Sequence, residues 1–458
     1  MHDTGKRRAA GNMIRRPARA SGMLRLSWHT PILMRVAFRV KLRASLRVIE
    51  FDVRKADMSE LLIRPNASDV PLLRRVLGPE ALANGSAPDR LVVDAHVAAR
   101  RPEVRHLAER SGTGLLIDPQ THFLQDHQPA TDPWTDLPYA RADQLDQSDF
   151  APAFVEELVR AAVQAQVDLG ATQIIAPYVH IGHRRQDWRL VQARLWSATR
   201  RVLDDNHITL PVLGLLSLDW RAQDGLFADN PGSDLGRALR DLAPTEVAVA
   251  ASAVTKTRDP EGRIESMLSL VSYLARLAPV LAWQQGLLGE LCVAAGAAGY
   301  ETGIGTRETY DVSPSLAARR RYGHTSPRQA RPVYIRPLQR SIPKASVTAL
   351  AENPRLWPFI LCHDEQCCEP DGRTMLSDAR QHAVVARKRA LQALEAIPDP
   401  QWRWRYLATR TGEGAALAAR INRIAATDPR VTNVPPAPLV AAQAITERRA
   451  ARRARTTA

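Results

Sequence analysis

Cysteines and long apolar runs are scarce in this chain. Only four cysteines occur among 458 residues, which excludes a secreted scaffold held by disulfides and favours a reducing compartment, so we expect a cytoplasmic protein. No run of about 18 or more apolar residues is present, and we therefore expect no membrane-spanning helix. With 45% hydrophobic and 24% charged residues, the composition is that of a globular protein and excludes wholesale disorder.

Excess positive charge is confined to the two ends of the chain. The formal net charge is +15, and residues 1–47 and 446–458 together account for all of it, which leaves the body neutral. Basic ends of this kind are typically solvated, but they can also gather phosphates electrostatically. Four later methionines offer alternative starts: Met13, Met23, Met34 and Met58. We expect residues 1–57 to be a disordered basic segment or to precede the true start.

Short apolar runs alternate with longer amphipathic segments from residue 59 onward. The runs are Leu61–Ile63, Leu91–Val93, Leu115–Ile117, Gln173–Ala176, Val212–Leu216, Val247–Ala250, Val280–Trp283 and Ala297–Ile304. Several are continuously apolar, as strands of a parallel sheet buried on both faces must be. Segments with helical periodicity lie between them, for example Ala151–Leu169, Gln186–Asp204 and Pro260–Leu277. About eight such alternations predict a (β/α)8 barrel over residues 58–315.

A doubly wound open sheet is the main alternative to this barrel. The glycine-rich turn after the first strand that marks dinucleotide-binding sheets is absent from the sequence. The barrel is therefore the favoured fold.

The C-terminal part of the chain has a different pattern. Prolines interrupt it at four positions: Pro327, Pro332, Pro337 and Pro343. Helical periodicity returns over Asp378–Leu394 and Gly412–Ala426. We expect residues 316–432 to form a mostly helical appendage to the barrel, and residues 433–458 to form a basic tail.

Polar residues follow most of the predicted strands, at the end where barrel enzymes carry their active sites. These residues are Asp94, His96, Asp118, Gln120, His122, Tyr178, His180, His183, Ser217, Asp219, Trp220, Ser252, Gln284, Gln285, Glu301, Thr306, Arg307 and Glu308. Their convergence predicts a polar ligand site. After the last strand, Gly303 and Gly305 allow a close backbone approach to an anion, and Arg307 can bind a phosphate or a carboxylate. A tight turn capped by Thr306 is the alternative.

Two of these segments resemble motifs of the tRNA-guanine transglycosylase barrel family, including its DNA-modifying relatives. Asp118–Phe123 (Asp-Pro-Gln-Thr-His-Phe) stands where that family has its base-binding motif, and Tyr300–Arg307 stands where it has its nucleophile. The resemblance implies a pentosyltransferase that exchanges a base in tRNA or DNA, with Glu301 as the carboxylate nucleophile and Asp118 as the acid/base. We expect the substrate-binding residues to be Gln120, His122, Tyr178, Asp219, Gln284, Gly303, Gly305 and Arg307. The expected partner is a nucleic acid, either tRNA or DNA. A homodimer is the alternative to a monomer.

A cysteine–histidine cluster lies in the expected appendage. Its members are Cys362, Cys367, Cys368 and His382. A tetrahedral zinc ion needs four such ligands, and the family that the chain resembles has a C-terminal zinc site of cysteines and histidine. We therefore predict a zinc site here, with apolar packing of the cysteines as the alternative.

A metal-dependent hydrolase is a second candidate function. Five residues at the predicted strand ends offer ligands for a divalent metal: Asp94, His96, His180, His183 and Asp219. A site built from them would activate water at the mouth of the barrel.

A non-catalytic nucleic-acid-binding protein is a third candidate. The basic ends, Arg319–Arg321 and the aromatic and basic run Trp402–Tyr406 would contact phosphates and bases. For Trp402–Tyr406 the alternative is an amphipathic packing segment.

Overall fold

The computed structural model describes residues 58–182, 188–222, 234–322 and 331–452. Contacts within the chain place all of these residues in one unit, Ala56–Ala458. The predicted basic segment 1–57, the candidate ligand His183 and Pro327 lie outside the described residues, as do the side chains of Arg319–Arg321.

Eleven strands occur in the described part of the chain. They are β1 (Glu60–Arg64), β2 (Arg90–Asp94), β3 (Gly114–Asp118), β4 (Ile174–Ile175), β5 (His180–Ile181), β6 (Val212–Asp219), β7 (Glu246–Ser252), β8 (Val280–Ala282), β9 (Gly299–Gly303), β10 (Val333–Ile335) and β11 (Arg340–Ile342). Strands β1 to β9 form one parallel sheet in the order β3-β2-β1-β9-β8-β7-β6-β4, and β5 pairs with β6 beyond β4. A parallel bridge between Leu116 and Gln173 joins β3 to the residue before β4. The sheet therefore nearly closes on itself, and the predicted (β/α)8 barrel is confirmed.

Sixteen helices accompany these strands in the described ranges. They are α1 (Val70–Val76), α2 (Pro79–Ala83), α3 (Ala95–Arg100), α4 (Glu103–Ser111), α5 (Pro152–Asp168), α6 (Trp188–Asp205), α7 (Asp234–Leu242), α8 (Pro260–Leu274), α9 (Gly289–Ala294), α10 (Val312–Tyr322), α11 (Lys344–Ala351), α12 (Trp357–Ile360), α13 (Arg373–Ser377), α14 (Ala379–Glu395), α15 (Pro400–Ala425) and α16 (Ala437–Arg452). Local signals explain several ends. Helix α5 has a proline at its first turn, and Gly170 follows it at φ +83°.

The last three helices are long, and α14 packs against the barrel. Helix α15 begins at Pro400, twelve residues before the predicted start, and includes the Trp402–Tyr406 run. In that run Trp404 is buried whereas Trp402 is 58% exposed, as expected for an amphipathic packing helix. Part of the predicted basic tail forms α16, whose Leu439 and Ile445 are buried. Within the described residues, no helix has the length and apolar character needed to cross a membrane.

Candidate functional site

Strand alternation directs a set of polar side chains into the barrel. Successive side chains of a strand point to opposite faces. In β1, Leu62 belongs to the inner apolar cluster, whereas Leu61 and Ile63 pack outward against the helices. Two residues after Leu62, Arg64 therefore points inward at the end of the strand. The same spacing places Asp94 two residues after the inner Val92.

Arg64 is the centre of a buried charge cluster. Its Nη1 donates to Asp94 Oδ1 at 2.6 Å and to Asp118 Oδ2 at 2.8 Å, and its Nε donates to Glu301 Oε1 at 3.0 Å. All four residues are at most 3% exposed. One guanidinium thus joins the carboxylates of three different strands, and these bonds are of the charge-assisted kind.

Further donors bind the remaining oxygens of the three carboxylates. Arg307 pairs with Asp94 Oδ2, and its own side chain is 44% exposed. The hydroxyl of Tyr178 donates to Asp118 Oδ1 at 3.0 Å, as does the Gln120 amide at 2.9 Å. The amide of Gln284 donates to Glu301 Oε2 at 2.8 Å. Arg307 is therefore the solvent-facing member of a cluster whose other charged members are enclosed.

Burial and the two arginines act in opposite directions on these acids. Burial raises the pKa of Asp94, but Arg307 and Arg64 outweigh it and bring that pKa well below its ordinary value. For Glu301, burial is the larger effect, so its pKa stays raised even though Arg64 lowers it. Glu301 therefore holds a proton more readily than Asp94 does.

Three buried polar atoms beside this cluster have no hydrogen-bond partner among the described residues. They are Arg64 Nη2, Gln120 Oε1 and the indole nitrogen of Trp283. The guanidinium carbon of Arg64 lies 5.3 Å from the Trp283 ring centroid, so the two donor side chains are neighbours. Unpartnered buried groups are uncommon and costly. Arg64 Nη2 and the Trp283 indole nitrogen are therefore two neighbouring donors that lack an acceptor among the described residues.

Several residues with a left-handed backbone conformation also lie at this end of the barrel. Gln120, Ala253, Gln284 and Arg307 follow β3, β7, β8 and β9, and each has φ between 50° and 59°. Non-glycine residues rarely adopt this conformation, and such strain clusters at functional sites. In the turn after β9, Gly305 also has φ +73°, and Gly303 leaves no room for a side chain against the carbonyl of Thr306.

A second polar chain crosses the mouth from β5 to the segment after β9. His180 Nδ1 lies 2.9 Å from Ser217 Oγ, which lies 2.6 Å from the Tyr310 hydroxyl. Burial lowers the pKa of His180 from 6.5 to about 4, so the imidazole is neutral at pH 7. Beside this chain, the His122 ring stacks on Tyr178 at 5.2 Å. Each hydroxyl can donate or accept, so the hydrogen bonds of this chain can run in either direction.

The structure brings together most of the predicted site residues. Asp118, Gln120, Tyr178, Gln284 and Arg307 surround the Arg64 cluster directly or through one hydrogen bond. Asp219 stands apart at the end of β6, where it is partly exposed and its Oδ1 accepts from the Arg221 amide.

Sequence reasoning missed Arg64, Trp283 and Tyr310. Arg64 directly follows the first apolar run, so the rule that found Asp94 and Asp118 would also have found it. Trp283 falls in an apolar run of the sequence and Tyr310 belongs to no motif named above, although each carries a polar atom into the barrel.

The predicted metal ligands converge in the C-terminal region. Ligand atoms of Cys362, Cys367, Cys368 and His382 all lie within 4.8 Å of one another. His382 Nδ1 is 3.3 Å from Cys367 Sγ and 3.2 Å from Cys368 Sγ. Its Nε2 lies 2.9 Å from the carbonyl of Tyr334, which orients the ring with Nδ1 toward the sulfurs. Three thiols and an oriented imidazole are a donor set that could hold a metal ion.

The mouth of the barrel does not offer a comparable group. Across the described ranges, the Cys362–His382 set is the only cluster with ligand atoms grouped for a metal ion. Asp94, His96, His180 and Asp219 form no such cluster, and Arg64 already provides the cation between the carboxylates. The metal-dependent hydrolase considered from the sequence therefore lacks its site in the described residues.

Comparisons with known proteins find similar solved structures at low identity. A HpcH/HpaI aldolase from Desulfitobacterium hafniense is 13% identical, with 58% of this chain and 92% of that chain covered and a TM-score of 0.29. An N-acetylneuraminic acid synthetase from Leptospira borgpetersenii is 13% identical, covering 60% and 88%, with a TM-score of 0.29. A 2,3-dimethylmalate lyase of the PEP mutase/isocitrate lyase superfamily is 12% identical, covering 60% and 89%, with a TM-score of 0.28. No protein-family model and no curated protein matches the chain.

The resemblance to tRNA-guanine transglycosylases, and the base exchange that it implied, are wrong. The site differs physically from what base exchange needs. The guanidinium of Arg64 stands between Asp118 and Glu301 and bonds both, so the space expected for a nucleoside is filled. Both carboxylate oxygens of Glu301 already accept hydrogen bonds, one from Arg64 and one from the Gln284 amide, so neither is free to attack a ribose.

Proposed function

We propose that the protein is an enzyme that binds a small oxyanion-bearing substrate at the mouth of its barrel. The observation that carries this proposal is the neighbouring pair of buried, unpartnered donors, Arg64 Nη2 and the indole nitrogen of Trp283. These donors call for an acceptor such as a carboxylate or a phosphate oxygen.

Arg307 supports the same ligand chemistry. Its side chain is nearly half exposed and remains paired with buried Asp94. A guanidinium in this position can bind a carboxylate or a phosphate with two parallel hydrogen bonds while Asp94 fixes its orientation.

His180 supplies the acid–base part of the proposal. Its pKa of about 4 keeps the imidazole neutral at physiological pH, and a neutral imidazole can accept a proton from a substrate. Taking that proton turns His180 into an imidazolium, which burial disfavours, so the ring readily gives the proton back to the substrate or product. The hydrogen bond to Ser217 Oγ, itself bonded to Tyr310, fixes the orientation of the ring during both transfers.

Anion binding tests this function with malonate and inorganic phosphate as probes. Isothermal titration calorimetry of the whole protein should show saturable binding of at least one probe, weakened about tenfold in Arg307→Gln because one charged donor is lost. Arg105→Gln is the matched control, since Arg105 is equally exposed but lies on α4 and bonds Glu109 and the carbonyl of Asp168. No binding of either probe, or equal loss in both variants, would refute the proposal.

We also propose that Cys362, Cys367, Cys368 and His382 hold a structural zinc ion. Support comes from the four converging ligand atoms and from the Tyr334 carbonyl that orients His382; four protein ligands leave no open position for catalysis.

Metal analysis of protein purified without a histidine tag should give about one zinc per chain. Cys368→Ser should lose the metal and lower the melting temperature, whereas Cys292→Ser, a buried cysteine outside the cluster, should keep the metal. A native zinc content near zero would end this proposal.

A further inference from the structure

Glu308 is held from outside the barrel by the C-terminal region. Its Oε1 accepts from Arg387 Nη2 at 2.7 Å and from Ser341 Oγ at 2.6 Å, and its Oε2 accepts from the Ser341 amide at 2.9 Å. Arg387 belongs to α14, and Ser341 belongs to β11. Glu308 directly follows Arg307, so the residue that presents the exposed guanidinium is fixed by elements that follow the barrel in sequence.

Arg387 also ties together the two segments that follow β8 and β9. It is 1% exposed, and its Nη1 donates to the carbonyl of Gly286 at 2.9 Å. The Gly286 amide in turn donates to the carbonyl of Glu308 at 2.7 Å. A side chain at Gly286 would collide with Thr302 and with the Glu308 backbone. The backbone and the carboxylate of Glu308, the residue next to Arg307, are therefore both held by the contacts of Gly286 and Arg387.

Two sets of contacts connect the cysteine–histidine cluster to the groups that bond Glu308. His382 and Arg387 lie on one helix, α14. Both also contact Tyr334, since His382 bonds its carbonyl at 2.9 Å and the Arg387 guanidinium lies 4.0 Å from its ring centroid. Tyr334 pairs with Ser341 across the β10–β11 hairpin. Displacing His382 would therefore disturb both groups that hold Glu308.

We propose that Arg387 and Glu308 are positioning residues for Arg307, and that a metal ion in the cysteine–histidine cluster sets the affinity of the barrel mouth for its anion. This inference rests on the function proposed above. It assigns the C-terminal region a part in ligand binding, although none of its residues needs to touch the ligand.

The test compares two buried ion pairs on one helix. Arg387→Met should keep the metal and weaken malonate or phosphate binding about tenfold, because Glu308 loses its charged partner. Lys388→Met is the matched control. Lys388 is the next residue of α14 and bonds Asp89, which precedes β2 at the opposite end of the barrel. This control should lower the melting temperature and leave the anion affinity unchanged, a result that a merely structural role for Arg387 would not give.

Metal removal is the second arm of this test. Treating the native protein with a chelator should weaken binding to a similar extent while the far-ultraviolet circular dichroism stays native. Unchanged affinity in Arg387→Met, equal loss in both variants, or unchanged affinity after zinc removal would overturn the inference. A native protein that binds neither probe would instead overturn the proposed function and this inference with it.

Discussion

Replacing Arg64 with methionine removes the guanidinium that bonds three buried carboxylates. In the native protein this guanidinium bonds Asp94, Asp118 and Glu301 at 2.6, 2.8 and 3.0 Å, and it is almost fully buried. Leaving one partner of a buried ion pair uncompensated costs about 3–5 kcal/mol. Arg307 still neutralises Asp94, so we expect a loss within that range at neutral pH.

The pH dependence of this loss is the sharper part of the prediction. Without Arg64, burial raises the pKa values of Asp94 and Glu301 with less opposition, so folding takes up protons. The stability of Arg64→Met relative to the native protein should then recover as the pH falls, by about 1.4 kcal/mol for each unit by which a pKa is raised. Lowering the pH should therefore reduce the difference in the free energy of unfolding between the native protein and Arg64→Met.

Urea unfolding followed by tryptophan fluorescence, at about pH 7.5 and about pH 5, measures this difference. Arg105→Met is the control, because Arg105 forms an exposed pair with Glu109 and should cost about 0–1 kcal/mol at either pH. A loss for Arg64→Met as small as that of the control, or a loss that does not change with pH, would refute the reasoning.

Two further predictions concern single side chains. Because the pKa of His180 is lowered on folding, its contribution to the free energy of unfolding is complete above pH 6.5 and is lost as the pH falls towards 4, with a loss of about 2 kcal/mol at pH 5. His180→Asn should lack this acid dependence in the same urea measurement. Parallel plots of unfolding free energy against pH for the native protein and the variant would contradict the assignment. Trp404→Ala should cost about 3–5 kcal/mol because Trp404 is buried. Trp402→Ala should cost less than about 1 kcal/mol, since Trp402 is exposed on the opposite face of α15; similar losses would show that the packing face has been misplaced.

The barrel and much of its mouth follow from local sequence patterns. Continuous apolar runs mark buried parallel strands, and polar residues at their ends point inward by simple alternation, as for Asp94 and Asp118. Local sequence patterns predict the metal ligands only in part. A turn in which the amides of Cys367 and Cys368 both bond the Asp364 carbonyl brings both thiols toward His382, and the spacing alone does not reveal this turn.

The remaining features depend on contacts between distant parts of the chain. Arg387 and Glu308 are 79 positions apart, and no periodicity links a buried arginine in α14 to a turn after β9. The catalytic roles assigned to Asp118 and Glu301 failed for a related reason. Each residue alone looks like a strand-end acid, and only the structure shows that Arg64 occupies the space between them. Charge pairing inside a barrel is a property of the whole ring of strands.

Diffraction from crystals grown with selenate tests the anion site most directly, because selenium locates an oxyanion by its anomalous signal. The account predicts selenate within hydrogen-bonding distance of Arg64 Nη2 and of Arg307, with the Trp283 indole beside it. Selenate found only on surface arginines, with the unpartnered atoms of Arg64 and Trp283 bonded to other protein groups, would contradict it.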